Sequence, residues 1–174
     1  TIHTETTIGI VDIGSNWAEF AIITIAPSGN LSVQARTALS EHGRTALDDR
    51  LVEWTLKQVE SDHDISLECT DAARDRLRDA VHHAVNQVDP DGELTGSIDI
   101  ELDDGVTLTE GGLFGNDTIQ IQEEFDIETC VQALRPMLEE IQQTASSMLD
   151  DLSDTDVDDL VLAGDGTRLA PVLI

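Results

Sequence analysis

Three runs dense in β-branched residues open the chain, and the two links between them are too short for anything but a reversal of direction. Thr7 to Ile13 (TIGIVDI) reads as a buried strand, Ala18 to Ile25 (AEFAIITI) as a second, and Leu31 to Thr37 (LSVQART), which alternates, as a third. Gly14-Ser15-Asn16 and Pro27-Ser28-Gly29-Asn30 connect them. A parallel pair needs a crossover of about a dozen residues, so these strands form an antiparallel three-stranded meander. Everything downstream must cover or extend that sheet.

The hydrophobic period then changes from two to that of a helix. Ala46 to Val59 places Leu47, Leu51 and Trp54 on one stripe, widened by Val52, Leu56 and Val59. Asp71 to Val88 predicts a second helix, with Ala73, Leu77, Ala80, Val81, Ala84 and Val88 inward and Arg74, Arg76 and Arg78 interleaved with Asp75 and Asp79 outside. Ser97 to Leu102 and Val106 to Thr109 alternate around Asp103-Asp104-Gly105, which predicts a hairpin in a small separate sheet. A long helix follows from Ile127 to about Leu149, behind the candidate cap Asp126 and bent at Pro136. Val157 to Ala163 is a final strand that enters Gly164-Asp165-Gly166. The fold class expected is α/β.

Charge sets the solvent and excludes partners. Thirty-six Asp and Glu stand against nine Lys and Arg, a formal net charge of -27, and Lys57 is the only lysine. The acids are scattered among apolar positions that make up 40% of the chain, so this is a folding sequence with an acidic surface rather than a disordered acidic tail. Self-repulsion on such a surface is screened when the Debye length falls to about 3 Å near 1 M salt, which points to the interior of an extreme halophile. Nucleic acid and anionic membrane are excluded as partners, because both require a basic footprint. Cys69 and Cys130 lack metal or disulfide spacing, and the five histidines, His3, His42, His63, His82 and His83, are expected to be solvated. No apolar run approaches the ~20 residues needed to span a bilayer, and no signal peptide opens the chain, so a cytoplasmic location is expected. Thr1 is not an initiator methionine, and Pro171-Val172-Leu173-Ile174 stop inside an apolar run, so a piece of a longer chain is expected.

Two glycine turns carry the chemistry. A short glycine-containing turn between strands lets backbone N–H groups approach phosphate oxygens, and a carboxylate at the strand end, here Asp12, can hold a Mg-bound water. Gly164-Asp165-Gly166 after the last strand, with Arg168 nearby, can present backbone to the rest of a nucleotide. Ile10-Val11-Asp12-Ile13-Gly14-Ser15-Asn16 resembles the second phosphate motif of the DnaK family of seventy-kilodalton heat-shock chaperones, D-L-G-G-G-T-F-D. Val161 to Arg168 (VLAGDGTR) is similar to its adenosine motif, V-L-V-G-G-S-T-R-I-P. Asp48-Asp49-Arg50-Leu51-Val52 looks like the family's F-D-N-R-L-V segment, and Asp71 to Arg78 like its inserted-subdomain helix. The match covers nearly the whole chain.

That resemblance implies the second lobe of an actin-like (ribonuclease-H-like) ATPase domain, a mixed sheet of the meander and the final strand with flanking helices, with residues 1–60 and 126–174 as its core and 61–125 as its inserted small α+β subdomain. It further implies ATP or ADP with Mg as ligand. Asp12 would be the catalytic and Mg-water carboxylate, and Gly14, Ser15, Asn16, Gly164, Asp165, Gly166 and Arg168 the nucleotide contacts. The partners implied are the first lobe of the same domain and a client or co-chaperone.

Several positions depart from the family. Ser15 and Asn16 replace glycines, Trp17 a threonine, and Asp165 a glycine; Gly43-Arg44-Thr45-Ala46 stands for G-G-E-D, and His82, Val85 and Asn86 fall where the family grips the nucleoside. Weakened nucleotide binding is expected, with a pseudo-ATPase interaction module and an actin-superfamily filament or division protein as the alternatives. The charge balance predicts that the thermal unfolding midpoint rises steeply as KCl is raised from low to multimolar concentration. A midpoint independent of salt in a calorimetric series would contradict the halophilic reading.

Overall fold

The computed structural model describes residues 4–64, 66–88, 95–102, 106–110, 119–152 and 156–166. In chain order the elements are β1 (Thr6–Ile13), β2 (Trp17–Ile25), β3 (Leu31–Ser40), α1 (Arg44–His63), β4 (Ser66–Cys69), α2 (Asp71–Val85), β5 (Gly96–Leu102), β6 (Val106–Glu110), β7 (Ile119–Phe125), α3 (Ile127–Asp150) and β8 (Asp159–Ala163). They fall into two compact units, Thr1–Leu47 with Arg135–Ile174, and Asp48–Leu134, so that α1 and α3 each contribute residues to both.

The first unit contains the expected meander. β1 and β2 pair antiparallel with Ile13 opposite Ala18, and β2 and β3 pair antiparallel with Trp17 opposite Ser40. The Ala26–Asn30 reversal is closed by Ala26 N–H donating to the Asn30 carbonyl at 2.9 Å, and Gly29 supplies the positive φ of 84° that the turn requires. β8 lies on the other side of β1 and parallel to it, with Ile10 opposite Val161 and Asp12 opposite Ala163, giving a mixed sheet of order β3-β2-β1-β8. Side chains alternate across a sheet, so Ile13, Ala18, Phe20 and Ile22 share one face, and all four are buried. Burial of each of the three larger ones is worth roughly 1.5–3 kcal/mol. Asp12, Trp17 and Glu19 therefore stand on the opposite face, at the end of the sheet where the two glycine turns lie.

In the second unit α2 starts behind Thr70, whose hydroxyl accepts from the Ala73 N–H at 3.3 Å, and it buries Ala73, Leu77, Val81, Ala84 and Val85. Arg78 on its outer side bonds Asp49 of α1 at 2.6 Å. The Trp54 and Phe125 rings lie 6.0 Å apart in a tilted arrangement, and Thr55, although buried, satisfies its hydroxyl on the Leu51 carbonyl at 2.9 Å.

The expected hairpin between Ser97–Leu102 and Val106–Thr109 is not formed. β5 pairs instead with β7, Ile100 opposite Ile121, and β6 pairs with β4; the connecting residues 103–105 lie outside the described residues. Alternation and a turn sequence specify two strands and a short link, but burial chooses the partners. β7 buries Ile121 and Phe125, β5 buries Ile98, and Gly96 at the start of β5 lies so close to the Ala84 backbone of α2 that a Cβ would collide with it. The run Ile119-Gln120-Ile121-Gln122 alternates visibly in the sequence and marks β7, whereas the four residues of β4 carry too little pattern to stand out.

Asp126 caps α3 as expected. Its Oδ1 accepts from the Thr129 N–H at 2.7 Å, and that bond holds the carboxyl below the usual carboxylate range. A lowered folded-state value gives stability that is present above the unfolded-state value and is lost as pH falls through the folded one. Asp126→Ala is therefore expected to cost about 1 kcal/mol at neutral pH, and the gap to the parent should close in acid. Denaturant titrations at neutral and acidic pH check this; a gap of constant size would exclude the charged cap.

Candidate functional site

The turn after β1 is held by backbone alone. Gly14 N–H donates to the Trp17 carbonyl at 3.0 Å and closes the β1–β2 reversal. The carbonyls of Gly14, Ser15 and Asn16 then accept in succession from the N–H groups of Arg44 at 2.8 Å, Thr45 at 2.9 Å and Glu41 at 3.0 Å. Two of these donors belong to the first turn of α1, whose leading amides have no partner inside the helix. With the carbonyls engaged on this side, the N–H groups of Ser15 and Asn16 enter no hydrogen bond among the described residues, and both residues are exposed. Backbone N–H groups without a protein acceptor are what an anion requires of a turn.

Gly43 makes this packing possible. It opens α1, its carbonyl accepting from Leu47 N–H at 3.1 Å, and a Cβ there would overlap the backbone of Ser15 and Asn16. In the sequence it registers only as a departure from the family's G-G-E-D. The signal that could have found it is a helical run beginning with no Ser, Thr, Asp or Asn in front of it, only a glycine. Glu41, beside it, adopts a positive φ of 60° although it is not glycine.

The second glycine turn meets the first. Gly164 leaves β8 at a φ of 86°, and a Cβ on it would collide with the Ile13 carbonyl and with Oδ1 of Asp12. Gly166 is buried, and a Cβ there would run into the Ile13 side chain. The structure thus brings together Asp12, Gly14, Ser15, Asn16, Gly164, Asp165 and Gly166, with Asp12 and Asp165 both exposed. Arg168 lies outside the described residues.

The site's electrostatics are mixed. Asp12 and Glu19 are direct cross-strand neighbours of like charge. Arg36 grips Glu19 through two bonds, at 2.7 and 2.9 Å, and holds its carboxyl below the usual range. Trp17, 60% exposed, stands at the rim of the turn with its indole edge toward Gly14. In the second unit, Val85 is buried on the inner side of α2 and Asn86 ends that helix. The histidines are not uniformly solvated, contrary to expectation. The His82 Nδ1 lies 2.8 Å from Oδ2 of the buried Asp48, and His42 is held on both sides of its ring. Among the described residues no His, Cys, Asp and Glu group is arranged to hold a metal ion by itself, and no helix is long and apolar enough to cross a membrane.

The family model described as Hsp70 protein matches residues 2–173, the whole extent over which this sheet, its turns and its helices are laid out. The chain belongs to the Hsp70 family. This Hsp70 chain is 24% identical over 165 residues to the chaperone protein dnaK1 of Parasynechococcus marenigrum, covering 94% of this chain and 23% of that protein. To the chaperone protein dnaK1 of Prochlorococcus marinus it is 25% identical over 167 residues, with coverage of 94% and 23%. To the chaperone protein DnaK of Elusimicrobium minutum it is 21% identical over 171 residues, covering 95% and 25%. This Hsp70 chain thus spans about a quarter of the length of these relatives. Membership of the family implies the actin-like ATPase fold, and the mixed β3-β2-β1-β8 sheet agrees with it.

Gly29 and Gly164 form a natural experiment, because both have a positive φ but only Gly164 is hemmed in. Gly29→Ala should cost about 1–2 kcal/mol from the left-handed backbone alone. Gly164→Ala should cost clearly more in urea titrations; equal losses would mean that the second turn does not press on Asp12 and Ile13 as described.

Proposed function

We propose that this Hsp70 chain is the second lobe of a DnaK-type chaperone ATPase and that the turn after β1 receives the phosphates of ATP or ADP with Mg. The reading rests on one observation: the Gly14, Ser15 and Asn16 carbonyls are consumed by the 41–45 segment, while the N–H groups of the exposed residues Ser15 and Asn16 have no hydrogen-bond acceptor among the described residues. Asp12 would hold Mg through a water, kept in place by the close approach of Gly164, and Mg when bound supplies positive charge against phosphate oxygens. Gly164, Asp165 and Gly166, with Arg168 beyond them, would form the adenosine side. Residues 61–125 would be the inserted subdomain on a core of 1–60 and 126–174. ATP would lie between this lobe and the first lobe, so that this chain alone does not hydrolyse it. The proposed setting is the cytoplasm, with a client or co-chaperone as partner.

Binding is expected to be weak. Ser15 and Asn16 carry side chains where the family has none, the Trp17 indole stands at the rim, and the exposed Asp165 carboxylate repels an anion that comes near it. Those same features favour a second reading, in which the fold serves as an interaction module and no longer takes nucleotide.

Thermal unfolding in multimolar KCl, with and without Mg-ATP and Mg-ADP, separates the two. A ligand that binds only the folded form stabilises by RT ln(1 + [L]/Kd), about 2.7 kcal/mol for a Kd of about 100 μM at about 10 mM nucleotide. A raised midpoint that disappears in Asp12→Ala is the expected result. An unchanged midpoint in the parent chain would remove nucleotide binding by this lobe and leave the interaction module.

A further inference from the structure

Three charged side chains stand in a row across the face of the sheet that carries Asp12, one from each strand of the meander. Asp12 on β1 is directly opposite Glu19 on β2, and directly opposed residues leave a sheet on the same face with their Cβ atoms about 4.5–5.5 Å apart. Arg36 on β3 is opposite Ala21, which sets it diagonal to Glu19 on that face. Glu19 is therefore the middle member, with a carboxylate in reach on one side and a guanidinium on the other.

The structure shows which side holds it. Arg36 Nε donates to Oε1 of Glu19 at 2.7 Å and a terminal N–H donates to Oε2 at 2.9 Å, so one planar fork takes both oxygens. Asp12 is exposed, and its carboxylate enters no hydrogen bond or ion pair among the described residues. A cation beside Asp12 would draw a free neighbouring carboxylate toward itself, because a hard divalent ion is held better by two carboxylates than by one. The fork turns Glu19 the other way.

We infer that Arg36 is a positioning residue: by clamping both oxygens of Glu19 it withholds that carboxylate from the cation at Asp12 and leaves the turn with a single one. The inference rests on the Mg reading of Asp12 for the identity of the cation, and it says how that ion is shared. One carboxylate holds Mg only jointly with phosphate oxygens, whereas two beside the turn would bind the ion more firmly and repel the phosphates.

The test is binding of Mn(II), used in place of Mg and without nucleotide, followed by the electron paramagnetic resonance of the free ion in multimolar KCl. Arg36→Gln should tighten binding about threefold to tenfold, since an exposed charge contributes little more than that in salt. Glu19→Gln alone should leave the parent's affinity unchanged, and Glu19→Gln combined with Arg36→Gln should restore the parent's value. Arg78→Gln removes the same charge from α2, where Arg78 bonds Asp49, and should not tighten binding. No tightening in Arg36→Gln, equal tightening in Arg78→Gln, or weaker binding in Glu19→Gln alone overturns the inference.

Asp12→Asn separates it from the reading on which it rests. Parent binding that is lost in Asp12→Asn, with Arg36→Gln no different from the parent, keeps the Mg reading and defeats the withholding. Binding absent from the parent but acquired in Arg36→Gln, and dependent there on both Asp12 and Glu19, supports the withholding and defeats the Mg reading of the parent.

Discussion

The contact on which the site depends is made entirely of peptide groups. Three consecutive carbonyls of the turn after β1 accept from amides at and just before the start of α1, and two of the donors, Arg44 and Thr45, are ones a helix must place somewhere outside itself. Because the turn rather than a side chain caps the helix, the helix start and the sheet end are fixed together, and a single missing Cβ, at Gly43, permits the approach. The same bonds decide which way the turn's peptides point. The carbonyls go to the 41–45 segment, the amides are left without a protein acceptor among the described residues, and the carboxylate of Asp12 has Gly164 against it.

Charge is distributed around that contact with little basic material available. Glu19 is paired with Arg36, and Asp49 and Asp75 share Arg78, so these two of the nine basic side chains answer three acids. Exposed pairs of this kind contribute little individually and less in salt. Arg50 pairs with Glu53 as well, and Asp12 and Asp165 at the site are both exposed, so screening by salt bears directly on the charge there.

Much of the first unit could be read from residues because its constraints are local. Short links force β1, β2 and β3 into antiparallel order, and the Asp126 cap and the apolar stripes of α1, α2 and α3 obey periods that a single sequence displays. The placement of β8 beside β1 came from resemblance and not from pattern. What escaped were facts of partnership: β5 with β7 instead of β6, the short β4, and the use of Gly43 as a platform. Each depends on which surfaces meet after folding. His42 illustrates the same limit, since nothing around it in sequence foretells a carboxylate 98 positions away.

The two tryptophans fall one to each unit, in contrasting surroundings, and the chain has no tyrosine. Trp17 stands mostly in solvent next to the glycine turn, while Trp54 is half-buried beside Phe125. Ultraviolet emission therefore comes from two indoles that differ in wavelength and in access to dissolved quenchers. The red, quenchable part reports on the mouth of the sheet and the blue part on the second unit, so the protein carries a separate optical label on each without any chemical modification.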